Sequence, residues 1–129
     1  MGELVVEIGQ VIEAVCRIPV DWWRLHLSYL ALLKASGYSD HAERVGQREL
    51  AAYLRANPDL IQKWLGLSDG KRVSEGWYML PPDASFDGQH WVVGYYPVGK
   101  YFVSLDAADA CAHYVKQEIE GWRAHLANM

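Results

Sequence analysis

Apolar residues in the first half of the chain recur at intervals of three and four, the spacing that predicts amphipathic helices. The first predicted helix covers about residues 3–17 and ends before Pro19. The second covers 21–36, with Asp21 as its N-cap and Gly37 as its stop. A weaker pattern predicts a third helix over 40–56. A short fourth helix over 58–65 is predicted to end at Gly66.

The second predicted helix is apolar on almost every side. Trp22 and Leu25 lie on one side of it, and Trp23 and Leu27 lie on another. A helix with so little polar surface is either central to its domain or part of an interface.

The pattern changes to alternation after Gly76, as expected for strands. Strands are predicted over 77–80, 90–96 and 100–105, with turn residues between them. The last two strands should form a hairpin, and the first should pair with it. Asp106 then caps a long helix over about 107–126.

This order of elements predicts one α+β domain over residues 1–129, with a mainly helical N-terminal half, a three-stranded antiparallel sheet and a long C-terminal helix. Three short strands cannot bury both faces of their sheet without help from helices. We therefore expect the two halves of the chain to share one core.

The formal net charge of −4 over 129 residues argues against nucleic acid as the main partner, because phosphate recognition needs a basic surface. Arg44, Arg48 and Arg55 would lie on one side of the third predicted helix. We interpret them as a solvated helix face, and the alternative is a helical nucleic-acid contact.

Two distant cysteines, Cys16 and Cys111, lie on apolar helix faces and form no disulfide framework or metal motif. The N-terminus lacks the pattern of a signal peptide, and no apolar run is long enough to span a membrane. These features predict a cytoplasmic protein with no membrane partner.

Motifs for catalysis are missing from the sequence. There is no nucleophile elbow and no phosphate-binding glycine loop, and Asp109 with His113 supplies only two metal-type ligands. We therefore expect no enzyme activity, no metal and no cofactor. The alternative is a small-molecule binder or enzyme, with a pocket between helices and sheet lined by Trp22, His26, Trp64 and Trp91.

The region from residue 75 to residue 109 combines aromatic side chains with carboxylates. Aromatic residues surrounded by acids are typical of a surface that binds a basic protein. The alternative is that both faces of the sheet are buried and the acids are ordinary loop residues, because aromatic residues are also favoured in strands. The candidate partner-binding residues are Glu75, Tyr78, Asp83, Asp87, Tyr96 and Asp109.

The run DGQHWVVGYYPVGKYFVSLDAADACAHYVKQEIEGW, residues 87–122, resembles the closing hairpin and helix of some small bacterial toxin-immunity proteins. The resemblance implies a small acidic cytoplasmic protein that binds and neutralises a toxin domain without catalysis. Phage-encoded inhibitors of host defence complexes share this size and charge, so they form the alternative class.

Overall fold

The computed structural model describes residues 7–70, 76–97 and 100–129. Within these residues the predicted α+β fold is confirmed, with a helical N-terminal half, an antiparallel three-stranded sheet and a long final helix. The helices and strands are α1 (Ile8–Cys16), α2 (Ile18–Leu25), α3 (Tyr29–Ser36), α4 (Gln47–Ala56), α5 (Asp59–Gly70), β1 (Gly76–Leu80), β2 (Trp91–Tyr96), β3 (Lys100–Ser104) and α6 (Ala107–Ala127).

Helix α6 is the centre of the fold. It packs most extensively against α4, and it also contacts all three strands. Asp106 caps it by accepting a hydrogen bond from the backbone N–H of Asp109 at 3.2 Å, as the sequence predicts. The sheet therefore lies on one side of α6 and the other helices on the remaining sides.

The sheet has the strand order β1-β2-β3, with β2 in the middle. Met79 pairs with Val93, and Val93 pairs with Phe102, so these three side chains share one face. Helix α5 meets the outer edge of β1, where the Ser68 hydroxyl accepts from the backbone N–H of Met79 at 2.8 Å and donates to its carbonyl at 3.2 Å. Ser68 thus makes the two hydrogen bonds to Met79 that a neighbouring strand would otherwise make.

The predicted helix over 21–36 is in fact two helices, α2 and α3. His26 adopts the left-handed conformation, with φ of 57°, and ends α2. The Ser28 hydroxyl then caps α3 by accepting from the N–H of Ala31 at 3.1 Å. Residues 22–28 are all exposed, so this part of the segment is not central, whereas Leu33 of α3 is fully buried.

Two other predicted helix ends differ from the structure. Pro19 does not separate the first two helices, because it lies in the first turn of α2, where its missing N–H costs nothing. Asp21 is therefore inside that turn and is no N-cap. Gly66 does not end α5, which continues to Gly70.

The predicted third helix begins late. Residues 38–40 and 42–44 form two 3₁₀ turns, and α4 starts only at Gln47. Lys116 of α6 holds this segment, since its ammonium donates to the carbonyls of Ala42 at 3.0 Å and Val45 at 2.7 Å, and to the Tyr38 hydroxyl at 2.6 Å. These hydrogen bonds from α6 stabilise the two 3₁₀ turns in place of a continuous helix.

Trp64 fills the middle of the helical core and is fully buried. Its ring stacks on Trp122 and meets Tyr114 edge to face, each at a centroid distance of 6.2 Å. Its indole N–H donates to the carbonyl of Cys16 at 2.9 Å. A single side chain therefore connects α5 with α6 and with the end of α1.

Both cysteines are buried and free. Burial raises the pKa of the Cys16 thiol to about 12, so this thiol stays protonated. Within residues 7–70, 76–97 and 100–129, no helix combines the length and the apolar character needed to cross a membrane.

Candidate functional site

The sheet has an inner face toward α6 and an outer face on the other side. Alternation along the strands puts Trp91, Val93 and Tyr95 on the inner face, where Val93 is part of the core. The outer face consists of Tyr78, Leu80, Val92, Gly94, Tyr96, Tyr101 and Val103. Alternation predicts these two groups of residues, but only the position of α6 decides which group faces the core.

A pair of tyrosines lies across the centre of the outer face. Gly94 on β2 pairs with Tyr78 on one side and with Tyr101 on the other. The Tyr78 ring extends over Gly94 toward Tyr101 of β3. Burial, together with the neighbouring Tyr101, raises the pKa of Tyr78 above its usual value. The three strands thus hold Tyr78 in one orientation.

Gly94 makes room for this arrangement. A Cβ atom at residue 94 would lie 2.6 Å from Cζ of Tyr78 and 3.1 Å from Cδ1 of Tyr101. We expect Gly94→Ala to displace the Tyr78 ring and to lower the free energy of unfolding by about 1–3 kcal/mol, as overpacking does elsewhere. Urea denaturation measures this loss. Gly66→Ala is the control, because no atom lies within 4 Å of a Cβ at that position, and it should raise stability by about 0.5–1 kcal/mol since Gly66 lies inside α5. Equal stability of Gly94→Ala and wild type would contradict the packing described here.

Tyr101 of this pair is exposed, and so are four further aromatic or aliphatic side chains. Tyr101 is 65% exposed, Tyr96 is 57% exposed and Val103 is 45% exposed. Phe86 and Leu105, which follow β1 and β3 respectively, are also exposed. Of these five residues the sequence analysis selected only Tyr96. The position of Tyr101 opposite a glycine in a strand pair could have indicated its role.

The two candidate acids between β1 and β2 have different environments. Asp83 lies exposed in a 3₁₀ turn. Asp87 accepts hydrogen bonds from the backbone N–H groups of His90 and Gln89, both at 2.9 Å, and from the Ser85 hydroxyl at 3.2 Å. These bonds hold the pKa of Asp87 far below its usual range. Asp87 therefore shapes its own loop, and Asp83 is the acid that is open to a partner.

Asp109 lies on α6 and thus on the opposite side of the sheet from the tyrosine pair. It accepts a hydrogen bond from the Gln47 amide at 3.3 Å, and the amide oxygen of Gln47 lies 2.9 Å from Nδ1 of His113. His113 stacks on Phe102 of the inner face at 4.2 Å. Burial lowers the pKa of His113, although the nearby Asp109 opposes this shift. Asp109 and His113 therefore form an internal bridge through Gln47.

Among the remaining candidates, Glu75 lies outside the described residues. Those that the structure describes do not converge on the outer face. Arg55 pairs with Asp106, and Arg44 lies in a 3₁₀ turn, so the three arginines do not share one helix face as predicted. Among the suggested pocket residues, Trp22 and His26 are exposed, Trp91 is half-buried on the inner face of the sheet and Trp64 is fully buried.

The part of the chain that the structure describes contains no group of three or more His, Cys, Asp or Glu side chains arranged to hold a metal ion. No protein-family model, curated protein or solved structure matches this chain. The outer face of the sheet is the candidate site, because it presents the exposed Tyr96 and Tyr101 beside Tyr78.

Proposed function

We propose that this protein is a non-catalytic binding protein that neutralises a protein partner, as toxin-immunity proteins do, and that it contacts this partner with the outer face of its sheet. The observation that carries the proposal is the exposure of Tyr96, Tyr101 and Val103 around the fixed ring of Tyr78. A contiguous exposed patch of this kind is typical of a protein interface.

Tyrosine suits such a surface for two reasons. Its ring offers a large contact area, and its hydroxyl remains solvated in the free protein. Because the Tyr78 ring already lies over Gly94 beside Tyr101, ordering it on binding costs less entropy than ordering a freely solvated side chain. A rigid aromatic centre supports tight binding by a small protein.

The charge of the protein supports a basic partner. The chain carries a formal net charge of −4, and Asp83 is exposed on the loop that joins β1 to β2. Acidic groups near a binding surface accelerate the approach of a basic protein. The resemblance of residues 87–122 to immunity proteins supports the same class of partner.

The proposal requires a toxin gene beside the gene of this protein, and co-expression with that toxin domain is its direct test. We expect the wild-type protein to restore growth and the double variant Tyr96→Ala/Tyr101→Ala to fail. Trp23→Ala is the control, because it removes an exposed ring from α2 in the helical half. Continued killing in the presence of wild type, or full protection by the double variant, would overturn the proposal.

Kinetic measurements on this protein and the purified toxin domain distinguish residues that slow dissociation from residues that accelerate association. We expect Tyr101→Ala to weaken binding about 30-fold or more, mainly by faster dissociation, because buried tyrosines supply binding free energy. Asp83→Lys should instead slow association, and this effect should disappear at high salt. Biolayer interferometry at two salt concentrations measures both rates. Slower association at every salt concentration for Tyr101→Ala, with unchanged dissociation, would contradict this assignment of roles.

A further inference from the structure

Strand β3 forms one edge of the sheet, because β2 lies between it and β1. The opposite edge shows which way the backbone groups point. There both the N–H and the C=O of Met79 bond to Ser68 of α5, so they point away from β2. Backbone groups alternate in direction along a strand, so those of the neighbouring Tyr78 point toward β2 and bond to Gly94.

The same alternation across β2 determines which backbone groups of β3 are unpaired. Gly94 bonds toward β1, so Val93 bonds toward β3, where its register partner is Phe102. The N–H and C=O of Phe102 therefore point into the sheet, and those of Tyr101 and Val103 point outward. Among the described residues, no backbone hydrogen bond outside the regular helices and strands involves Tyr101 or Val103. The edge of β3 thus offers two N–H donors and two C=O acceptors in a row.

This edge lacks the features that usually protect an exposed strand. Protected edges are very short, charged, interrupted by proline or covered by another element. Strand β3 has an ordinary length of five residues, and residues 101–105 (YFVSL) contain no charge and no proline. The side chains of Tyr101, Val103 and Leu105 are all exposed. Only an extended backbone carries donors and acceptors at the spacing that this edge presents, so the geometry itself specifies what pairs with it.

We propose that the protein partner contributes an extended segment, which adds to the sheet as a fourth strand beside β3. This inference rests on the proposed function and specifies how the partner binds. The segment bonds to the backbone of Tyr101 and Val103, and its alternate side chains lie beside theirs. Both of these side chains belong to the outer face, so the edge and the outer face form one continuous surface.

The geometry also defines the chemistry of the segment. Its residues opposite Tyr101 and Val103 are two positions apart, and each supplies both an N–H and a C=O, so neither is proline. Aromatic and β-branched side chains at these two positions pack well against an aromatic and a β-branched neighbour. The segment is therefore a strand with apolar residues at alternate positions.

A second copy of this chain fits the edge less well. Two β3 strands paired edge to edge bring together five residues from each copy, far fewer than the roughly 20 residues a side of a specific interface. A partner that adds a strand and also covers the outer face gains the contacts of Tyr78 and Tyr96 as well. The edge therefore favours a different protein over a second copy.

A proline at residue 103 tests the pairing, because it removes an N–H that points outward and breaks no bond to β2. The matched control is Val103→Ala, which shortens the side chain and keeps the N–H. We expect Val103→Pro to bind the toxin domain encoded beside the gene about tenfold or more weakly than Val103→Ala does, measured by biolayer interferometry. Unchanged circular dichroism spectra verify that both variants are folded.

Amide hydrogen exchange followed by NMR gives a second readout. In the free protein we expect the amides of Tyr101 and Val103 to exchange fast and that of Phe102 to exchange slowly, because only Phe102 bonds to β2. In the complex with the toxin domain all three amides should exchange slowly. Fast exchange at Tyr101 and Val103 in the complex would overturn the inference.

The binding data distinguish failure of this inference from failure of the proposed function. Suppose that wild type binds the toxin domain, that Tyr96→Ala weakens binding, and that Val103→Pro binds as tightly as Val103→Ala. Strand addition is then wrong, and the outer face remains the binding surface. A wild type that does not bind the toxin domain would overturn both. A free wild-type dimer that Val103→Pro abolishes would assign the edge to a second copy and would also overturn this inference.

Discussion

Replacing Trp64 with alanine should lower the free energy of unfolding by about 3–5 kcal/mol. Trp64 is fully buried, and its ring stacks on Trp122 and contacts Tyr114, so its removal leaves a cavity where α5 meets α6. The loss also leaves the carbonyl of Cys16 without its indole donor. A domain of this size has about 5–15 kcal/mol of stability in total, so the variant should be only marginally folded.

Urea denaturation of Trp64→Ala and Trp64→Phe separates these two causes. The phenylalanine variant keeps an aromatic ring in the core and loses only part of the volume and the N–H donor. We therefore expect it to lose clearly less stability than the alanine variant. Equal losses in both variants would show that the hydrogen bond to Cys16, and not the packing, is the main contribution.

Replacing Lys116 with methionine should lower the free energy of unfolding by about 2–4 kcal/mol. Methionine has a similar length, but it cannot donate to the carbonyls of Ala42 and Val45 or to the Tyr38 hydroxyl. The Tyr38 hydroxyl, which also donates to Glu120, then loses its ammonium neighbour. Polar groups that stay half-buried without their donor account for the loss.

The effect of Lys116→Met should begin in the segment that this lysine holds. Hydrogen exchange should accelerate in residues 37–46 more than in the sheet, because these two 3₁₀ turns depend on α6 for their hydrogen bonds. Lys63→Met on the exposed side of α5 is the matched control and should change stability by less than about 0.5 kcal/mol. Uniform acceleration along the chain would contradict a local role.

The sheet and the last helix could be predicted from sequence because their signals are local. Asp87-Gly88 and Pro97 mark turns, alternation marks β2, and Asp106 marks the start of α6. The break between α2 and α3 contains neither glycine nor proline. Its one local signal is Ser28, a good N-cap inside an apolar run, and the left-handed His26 has no sequence signature.

The candidate site was harder to predict, for a physical reason. Both faces of β2 contain large residues, so the pattern alone cannot show which face α6 covers. Similarly, the sequence does not distinguish an aspartate that is solvated from one that is held by backbone N–H groups. Asp83 is an example of the first and Asp87 of the second. Exposure and hydrogen bonding arise from tertiary packing, which a single sequence does not reveal.

The hydrogen bonds between Ser68 and Met79 have a consequence for how the sheet can grow. An open strand edge is a template for strands of other chains and so a risk for aggregation. Because Ser68 of α5 is bonded to the edge of β1 at Met79, a strand from another chain could pair there only after these two hydrogen bonds were broken. Within the described part of the chain, β3 is the other edge of the sheet, and it carries the exposed Tyr101 and Val103. At Met79, Ser68 therefore opposes the addition of a strand to β1, and β3 is the edge with exposed side chains to offer.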